Sequence, residues 1–315
     1  MSSKSIDRIS SQLFADEEER EAFILALAAP RNYPRALLWV SNEGQAKRPF
    51  SSLAPLSWQP SFVDRTDTTG SLGSHDLHEK GAYYLMDMSS IFSASVLGGV
   101  ESSPHEILDL CSSPGGKGIY SWVQFRPSLL VCNEVIGKRH RALVSNLRRC
   151  CIHPSYVTQL DSSQFSEQTP NTFDLVIVDA PCSGQSLLVK GKKQPGGFHA
   201  ATISMNAKRQ KRILANAAAC VSPGGYLAYM TCTFSKKENE GVLEWFLKRF
   251  SSFEAVEYLP LQDFRSTLTD VPCYRLFPHS LIGAGAFTCL LRNTEMGEKR
   301  SFDICDVPVC WSSQS

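Results

Sequence analysis

The chain has 315 residues, 43% hydrophobic and 20% charged, an ordinary composition for a globular protein with one main core and room for a smaller one. Its longest apolar run, residues 23–30, is far too short to cross a bilayer, and residues 1–20 lack the basic, apolar, small-residue order of an export signal, so a cytoplasmic protein without membrane attachment is expected. A net charge of +1 neither demands nor excludes a nucleic-acid partner, and the eleven cysteines, odd in number and without a Cys-x-x-Cys pair, argue against a disulfide framework and against a metal site.

Residues 1–30 read as one or two amphipathic helices, and residues 36–40 as a short strand. Residues 41–81, rich in Ser, Pro, Gly, Asp and Thr, read as a linker with an occasional strand. Beyond Gly81 the pattern changes. Residues 106–111, 129–134, 156–161, 174–180 and 225–232 are short apolar, β-branched runs suited to buried parallel strands. Helical patterns separate them over 138–151 (apolar at Ala142, Leu143 and Leu147), 203–221 and 235–250. This alternation predicts a doubly wound α/β sheet, in which ligands bind outside the carboxyl ends of the strands.

The first strand runs into Cys111-Ser112-Ser113-Pro114-Gly115-Gly116-Lys117-Gly118. Such a turn lets backbone approach a ligand closely, although glycine-rich turns also serve plain helix–strand packing. It is neither a Walker A loop, since Cys111 stands where the first glycine belongs, nor a G-x-G-x-x-G turn. The next three strands end in Glu134, Asp161 and Asp179. Each alone could be a helix cap; together they suit a ligand with hydroxyls, an amino-bearing ring and positive charge, as S-adenosyl-L-methionine has.

Two cysteines occupy adjacent strand ends: Cys182 within Asp179-Ala180-Pro181-Cys182-Ser183-Gly184, and Cys232 within Thr231-Cys232-Thr233. Either could be an inert buried thiol. Ser235 and Glu238 have the spacing of a capping box, which predicts a helix whose positive end lies near Cys232 and favours its thiolate. A thiolate adding to C6 of cytosine makes C5 nucleophilic toward an activated methyl group. Asp179 could hold the cytosine edge at N3 and the exocyclic amine. The base must be unpaired or flipped to be reached.

At these residues the chain resembles the Sun-type (NSUN) RNA cytosine-5 methyltransferases, and most the bacterial RsmB/RsmF branch, from about Ser57 to Asn293. Residues 111–117 resemble the family's motif I, 179–184 its motif IV and 231–233 its motif VI; Glu238-Asn239-Glu240, Gln210 and residues 81–90 are similar as well. The resemblance implies a class I methyltransferase fold: a Rossmann-like, doubly wound, mostly parallel seven-stranded sheet with a small α+β N-terminal domain. It implies that Cys111, Ser112, Ser113, Pro114, Gly115, Gly116, Lys117, Glu134, Asp161 and Asp179 bind S-adenosyl-L-methionine or frame the base. Cys232 would be the nucleophile, and Cys182 would assist release of the product. In DNA cytosine-5 methyltransferases the Pro-Cys cysteine attacks instead, so the added Thr-Cys points to RNA. Departures are Gly118 for the usual Thr or Ser, Met86 for Gln, and Ser186 for a second glycine. The expected division is 1–78, a small RNA-binding-like domain and linker; 79–294, the methyltransferase domain; and 295–315, a disordered tail. Relatives of the RsmF type continue into further RNA-binding domains.

Two basic clusters are candidates for phosphate contact. The first joins Lys190, Lys192 and Lys193, on a glycine-bearing loop expected to be mobile, with Lys208, Arg209, Lys211 and Arg212. The second is Lys138, Arg139, Arg141, Arg148 and Arg149, which a solvated helix face would explain equally well. The expected partner is structured RNA, with small-subunit ribosomal RNA ahead of transfer RNA, and a monomer is expected.

Overall fold

The computed structural model describes residues 3–41, 48–68 and 70–314; residues 42–47 and 69, part of the predicted linker, lie outside the described residues. Helices α1 (Ser3–Leu13) and α2 (Glu17–Ala28) open the chain. The acidic cluster explains the start of α2: Asp16 accepts the Glu19 amide, and Glu17, Glu18 and Glu19 fill the positive first turn. Strands β1 (Arg35–Trp39), β2 (Val63–Thr66) and β3 (Tyr83–Asp87) form a small antiparallel sheet in the order β2-β1-β3. Its third strand lies beyond the boundary expected at residue 78, because β3 supplies Tyr83 to a core shared with Leu37, Trp39 and Leu72.

A short helix, α3 (Asp76–Glu79), precedes β3, and α4 (Met88–Ser95) follows it. The main sheet then builds from β4 (Glu106–Asp109), α5 (Gly116–Phe125), β5 (Leu129–Asn133), α6 (Gly137–Arg149), β6 (Ser155–Thr158), α7 (Ser162–Gln168), β7 (Phe173–Asp179), α8 (Ala200–Cys220), β8 (Val221–Thr231), α9 (Glu240–Arg249), β9 (Phe253–Val256), β10 (Tyr274–Leu276), β11 (Ala286–Asn293) and β12 (Val309–Ser312). Strands β6, β5, β4, β7 and β8 are parallel neighbours in that order. Alternate residues enter opposite cores. Ile107, Leu175, Ile177 and Ala228 join one core with α4, α5 and α6; Leu108, Val176, Val178 and Leu227 join the other with α7, α8 and α9. Burial on both faces is why these runs are continuously apolar.

The doubly wound arrangement is as expected, but among the described residues the sheet has nine strands rather than seven. Both β9 and β10 pair with β11, and β12 adds antiparallel to β6. The tail therefore departs from the expected disorder: Ser313 donates its amide to Ser155, and Arg148 lies over the Trp311 ring. No helix among the described residues is long and apolar enough to cross a membrane.

Two junctions position the site. Helices α1 and α2 do not join the small sheet. Leu13, Phe14, Phe23 and Leu27 pack instead with Val189, Phe198 and Phe234, beside the loops after β7 and β8. At the other junction the C-terminus of α6 closes on Gly81, whose φ is 71° and whose hypothetical Cβ would lie 1.7 Å from the Arg149 carbonyl oxygen. Gly81→Ala is therefore expected to destabilise the fold by at least about 2 kcal/mol, read as a lower thermal midpoint with unchanged helix content before melting.

Candidate active site

The chain runs from β4 to β5 and β6 on one side, then crosses back to β7 on the other, so the sheet reverses direction at the carboxyl ends of β4 and β7. A cavity of about 450 Å³ opens there. Asn133 organises its floor: its amide nitrogen donates to the carbonyls of Leu110 and Leu160, and its oxygen accepts from Thr158 and the Leu160 amide. Three strand ends are thereby tied by one buried side chain, which the pattern of acidic strand ends alone did not reveal.

Cys111, Ser113, Glu134, Asp161, Asp179, Cys182 and Cys232 all line this cavity. Ser112, Pro114, Gly115, Gly116 and Lys117 do not. They build the turn beneath it, where Gly115 takes φ 108° as α5 begins. Lys117 still acts on the cavity, since its buried Nζ lies 3.1 Å from Asp179 Oδ2.

Each acidic strand end carries a cation. Glu134 accepts Arg139 at 2.9 Å, Asp161 accepts both terminal nitrogens of Arg212, and Asp179 accepts Lys117. Asp161 is held below the ordinary carboxylate range, first by the Ser163 amide and further by Arg212. Arg139 also donates to the Ser113 carbonyl at 2.5 Å, so it braces the turn after β4 against the end of β5.

The two thiols meet. Cys182 Sγ and Cys232 Sγ are 3.1 Å apart, and neither is in a disulfide. The hydrogen bond from Cys182 holds Cys232 below the ordinary thiol range; Lys117 and Lys190 act in the same direction, against burial and Asp179. Cys182 is correspondingly pushed up, first by that bond and then by burial. Cys111, by contrast, is pushed up by burial.

The expected capping box is not the cause. Helix α9 begins at Glu240, and its N-cap, Asn239, makes no side-chain cap bond. Glu238 turns away from the helix instead, because Ser183 and Gln210 need a buried acceptor. The basic loop is tied to the site by hydrogen bonds. Gln185 donates to the Gly197 carbonyl and Gln194 to the Ser183 carbonyl, while Gly191 and Gly196 serve left-handed turns. Lys190 is paired with Asp87 at 2.8 Å. Arg209 and Arg212 line the cavity itself, whereas Lys192, Lys193 and Lys208 lie exposed outside its lining.

Asp109, at the end of β4, is wholly buried, and Ser112 and the Cys111 backbone only partly offset its loss of water. Burial pushes its carboxyl from 3.8 up to about 7. A carboxyl raised in the fold keeps its proton there, so its contribution to stability is complete below the unfolded value and is lost as pH rises through about 7. Asp109→Asn, uncharged throughout, should lose less stability between about pH 5 and pH 8, the gap from the parent chain reaching about 2 kcal/mol. Parallel melting curves for the two proteins would contradict this.

Comparison with known proteins agrees with this geometry. The family model described as 16S rRNA methyltransferase RsmB/F matches residues 99–292. Ribosomal RNA small subunit methyltransferase F of Citrobacter koseri is 31% identical over 254 residues, covering 77% of this chain and 52% of the relative. The Escherichia coli protein of that name is 29% identical over 252 residues, covering 78% and 52%. The chain thus spans about half the length of the curated relatives it matches. A methyltransferase homologue from Pyrococcus horikoshii has the same fold at TM-score 0.72 and 21% identity, covering 93% of this chain and 100% of that one. NSun6 from Pyrococcus horikoshii, solved with SFG, superposes at TM-score 0.72 and 17% identity, covering 93% and 98%.

Proposed function

Because the chain belongs to the RsmB/F family of 16S rRNA methyltransferases, we propose that it is an S-adenosyl-L-methionine-dependent RNA cytosine-5 methyltransferase acting on small-subunit ribosomal RNA. The observation that carries this reading is the Cys182–Cys232 pair at 3.1 Å, set in the wall of a cavity with three acidic strand ends.

The donor set suits the cofactor. Glu134 and Asp161 are acceptors for ribose hydroxyls and an adenine amine, and the turn from Cys111 to Lys117 brings backbone to the cavity edge. When bound, the cofactor supplies an electrophilic methyl group. The remaining work falls to the protein. Cys232, whose ionisation the Cys182 hydrogen bond favours, adds as thiolate to C6 of the cytosine. Asp179, fixed by Lys117, holds the base edge. Once Cys232 is a thioether it no longer accepts the Cys182 hydrogen bond. The largest cause of the raised Cys182 value then disappears, so that thiol gives up its own proton to water more readily, and the thiolate left behind takes the C5 proton. Loss of this proton expels the Cys232 thiolate and restores the aromatic ring.

Release of tritium from RNA labelled at cytosine C5 tests the reading. Cofactor-dependent release from small-subunit ribosomal RNA, with none from DNA, is expected. Equal release from DNA, or none from any RNA, would overturn it, and release from transfer RNA alone would move the substrate.

A further inference from the structure

Helix α6 carries Lys138, Arg139, Arg141, Arg148 and Arg149 with no acidic residue. Solvated helix faces usually interleave acids, which gain from pairs at i, i+4. Three of these cations also stand near the N-terminus of α6, where the helix dipole disfavours positive charge. Helix stability therefore does not account for them.

The structure divides the five. Arg139 is engaged by Glu134 and the Ser113 carbonyl, and Arg149 donates to the carbonyls of His78 and Tyr83. Lys138, Arg141 and Arg148 are exposed. Lys138 and Arg141 make no hydrogen bond or ion pair among the described residues, and Arg148 only leans over Trp311 at 5.9 Å. With Ser145 these three fall at spacings of three and four along one face. Arg141, Ser145 and Arg148 line an open depression of about 480 Å³. The helix begins beside the cofactor cavity, whose wall includes Ile136 and Arg139, and ends on the small domain at Gly81. Its 13 residues span roughly 20 Å.

We propose that this outward face of α6 is a track for the RNA backbone, binding phosphates of the substrate away from the target cytosine and leading them from the cavity mouth toward the small domain. The inference rests on RNA being the substrate. Phosphate fits better than a protein partner, because the cations around the depression outnumber its one carboxylate, Glu79, and its one aliphatic residue, the half-buried Val144, does not make the apolar centre of a protein interface.

The test compares the full chain with Lys138→Glu/Arg141→Glu/Arg148→Glu, and with the milder triple Gln variant in case the charge reversals disturb folding. Affinity for structured small-subunit ribosomal RNA is measured against salt concentration, together with turnover and cofactor affinity. The slope of log affinity on log salt should flatten by about 2–3 in either variant. KM for RNA should rise about tenfold or more, with kcat and cofactor affinity within about twofold of the parent. A parental slope and KM in both variants would overturn the proposal while leaving tritium release intact. A parent that binds RNA with the steeper slope but releases no tritium would support the track and count against the enzymatic reading.

Discussion

Cys232→Ala is expected to lower methyl transfer to RNA by about 10⁴-fold or more, with cofactor affinity unchanged, whereas Cys182→Ala should leave a covalent protein–RNA adduct visible as a retarded band on a denaturing gel. The asymmetry follows from where each proton sits. Cys232 is held below the ordinary thiol range chiefly by the hydrogen bond from Cys182, which is itself pushed up, so the first thiol ionises more readily and attacks, and the second keeps its proton until the attack is over. The same pair sets a reactivity profile. Alkylation of Cys232 by iodoacetamide should become half-maximal below the pH of about 8.5 at which a free thiol ionises. In Cys182→Ala the largest lowering influence is gone, burial and Asp179 oppose only Lys117 and Lys190, and the midpoint should rise. Mass spectrometry of the alkylated peptide against pH reads this directly. A midpoint identical in parent and Cys182→Ala protein would dissociate the two sulfurs. An adduct in Cys232→Ala but not in Cys182→Ala would exchange their roles.

How much of this was legible in the sequence depends on the range of the interaction. The strands of the main sheet are legible because burial on both faces leaves short unbroken apolar runs, and the strand-end residues Cys111, Glu134, Asp161, Asp179, Cys182 and Cys232 converge on one cavity because of that topology. Partners distant in sequence are not legible. Arg212 looks like a phosphate-binding residue until α8 lays it across Asp161, 51 residues earlier. The Ser235–Glu238 spacing matches a capping box, but Glu238 is claimed by Ser183, 55 residues upstream. The local pattern cannot register that competition. The tail misleads for a related reason. Strand β12 is only four residues long and largely exposed, and pairing with the free edge of β6 is what makes it a strand. Ala142 sits among the apolar positions of α6 yet is exposed, since the helix turns Leu143 and Leu147 into the core, with Val144 packed at its margin.

Glu238→Gln should cost about 3 kcal/mol of stability and about 100-fold in kcat, with KM for RNA little changed. The buried Glu238 carboxylate accepts from the Ser183 amide at 2.9 Å, from the Ser183 hydroxyl at 2.5 Å and from Gln210 at 3.0 Å. Ser183 follows Cys182, its hydroxyl also meets that of Thr233 at 2.7 Å, and Thr233 follows Cys232. Gln210 holds the Pro181 carbonyl on the other side of Cys182, and Asn239 accepts from Thr231 and donates to the Thr233 carbonyl on either side of Cys232. The neighbours of both cysteines are thus bonded into one buried network, and the sulfur–sulfur distance is its output. Burial pushes the Glu238 carboxyl up, against the bonds from Ser183 and Gln210, so the network holds a carboxylate at a cost. A glutamine would turn a donor toward donors, and the loop after β7 would have to move. If that movement separates the thiols, the alkylation midpoint of Cys232 should rise as it does in Cys182→Ala. A protein destabilised by Glu238→Gln but with parental kcat and thiol midpoint would reduce Glu238 to a structural residue. A fall in RNA affinity at constant kcat would place its effect on the substrate path instead of on the sulfur pair.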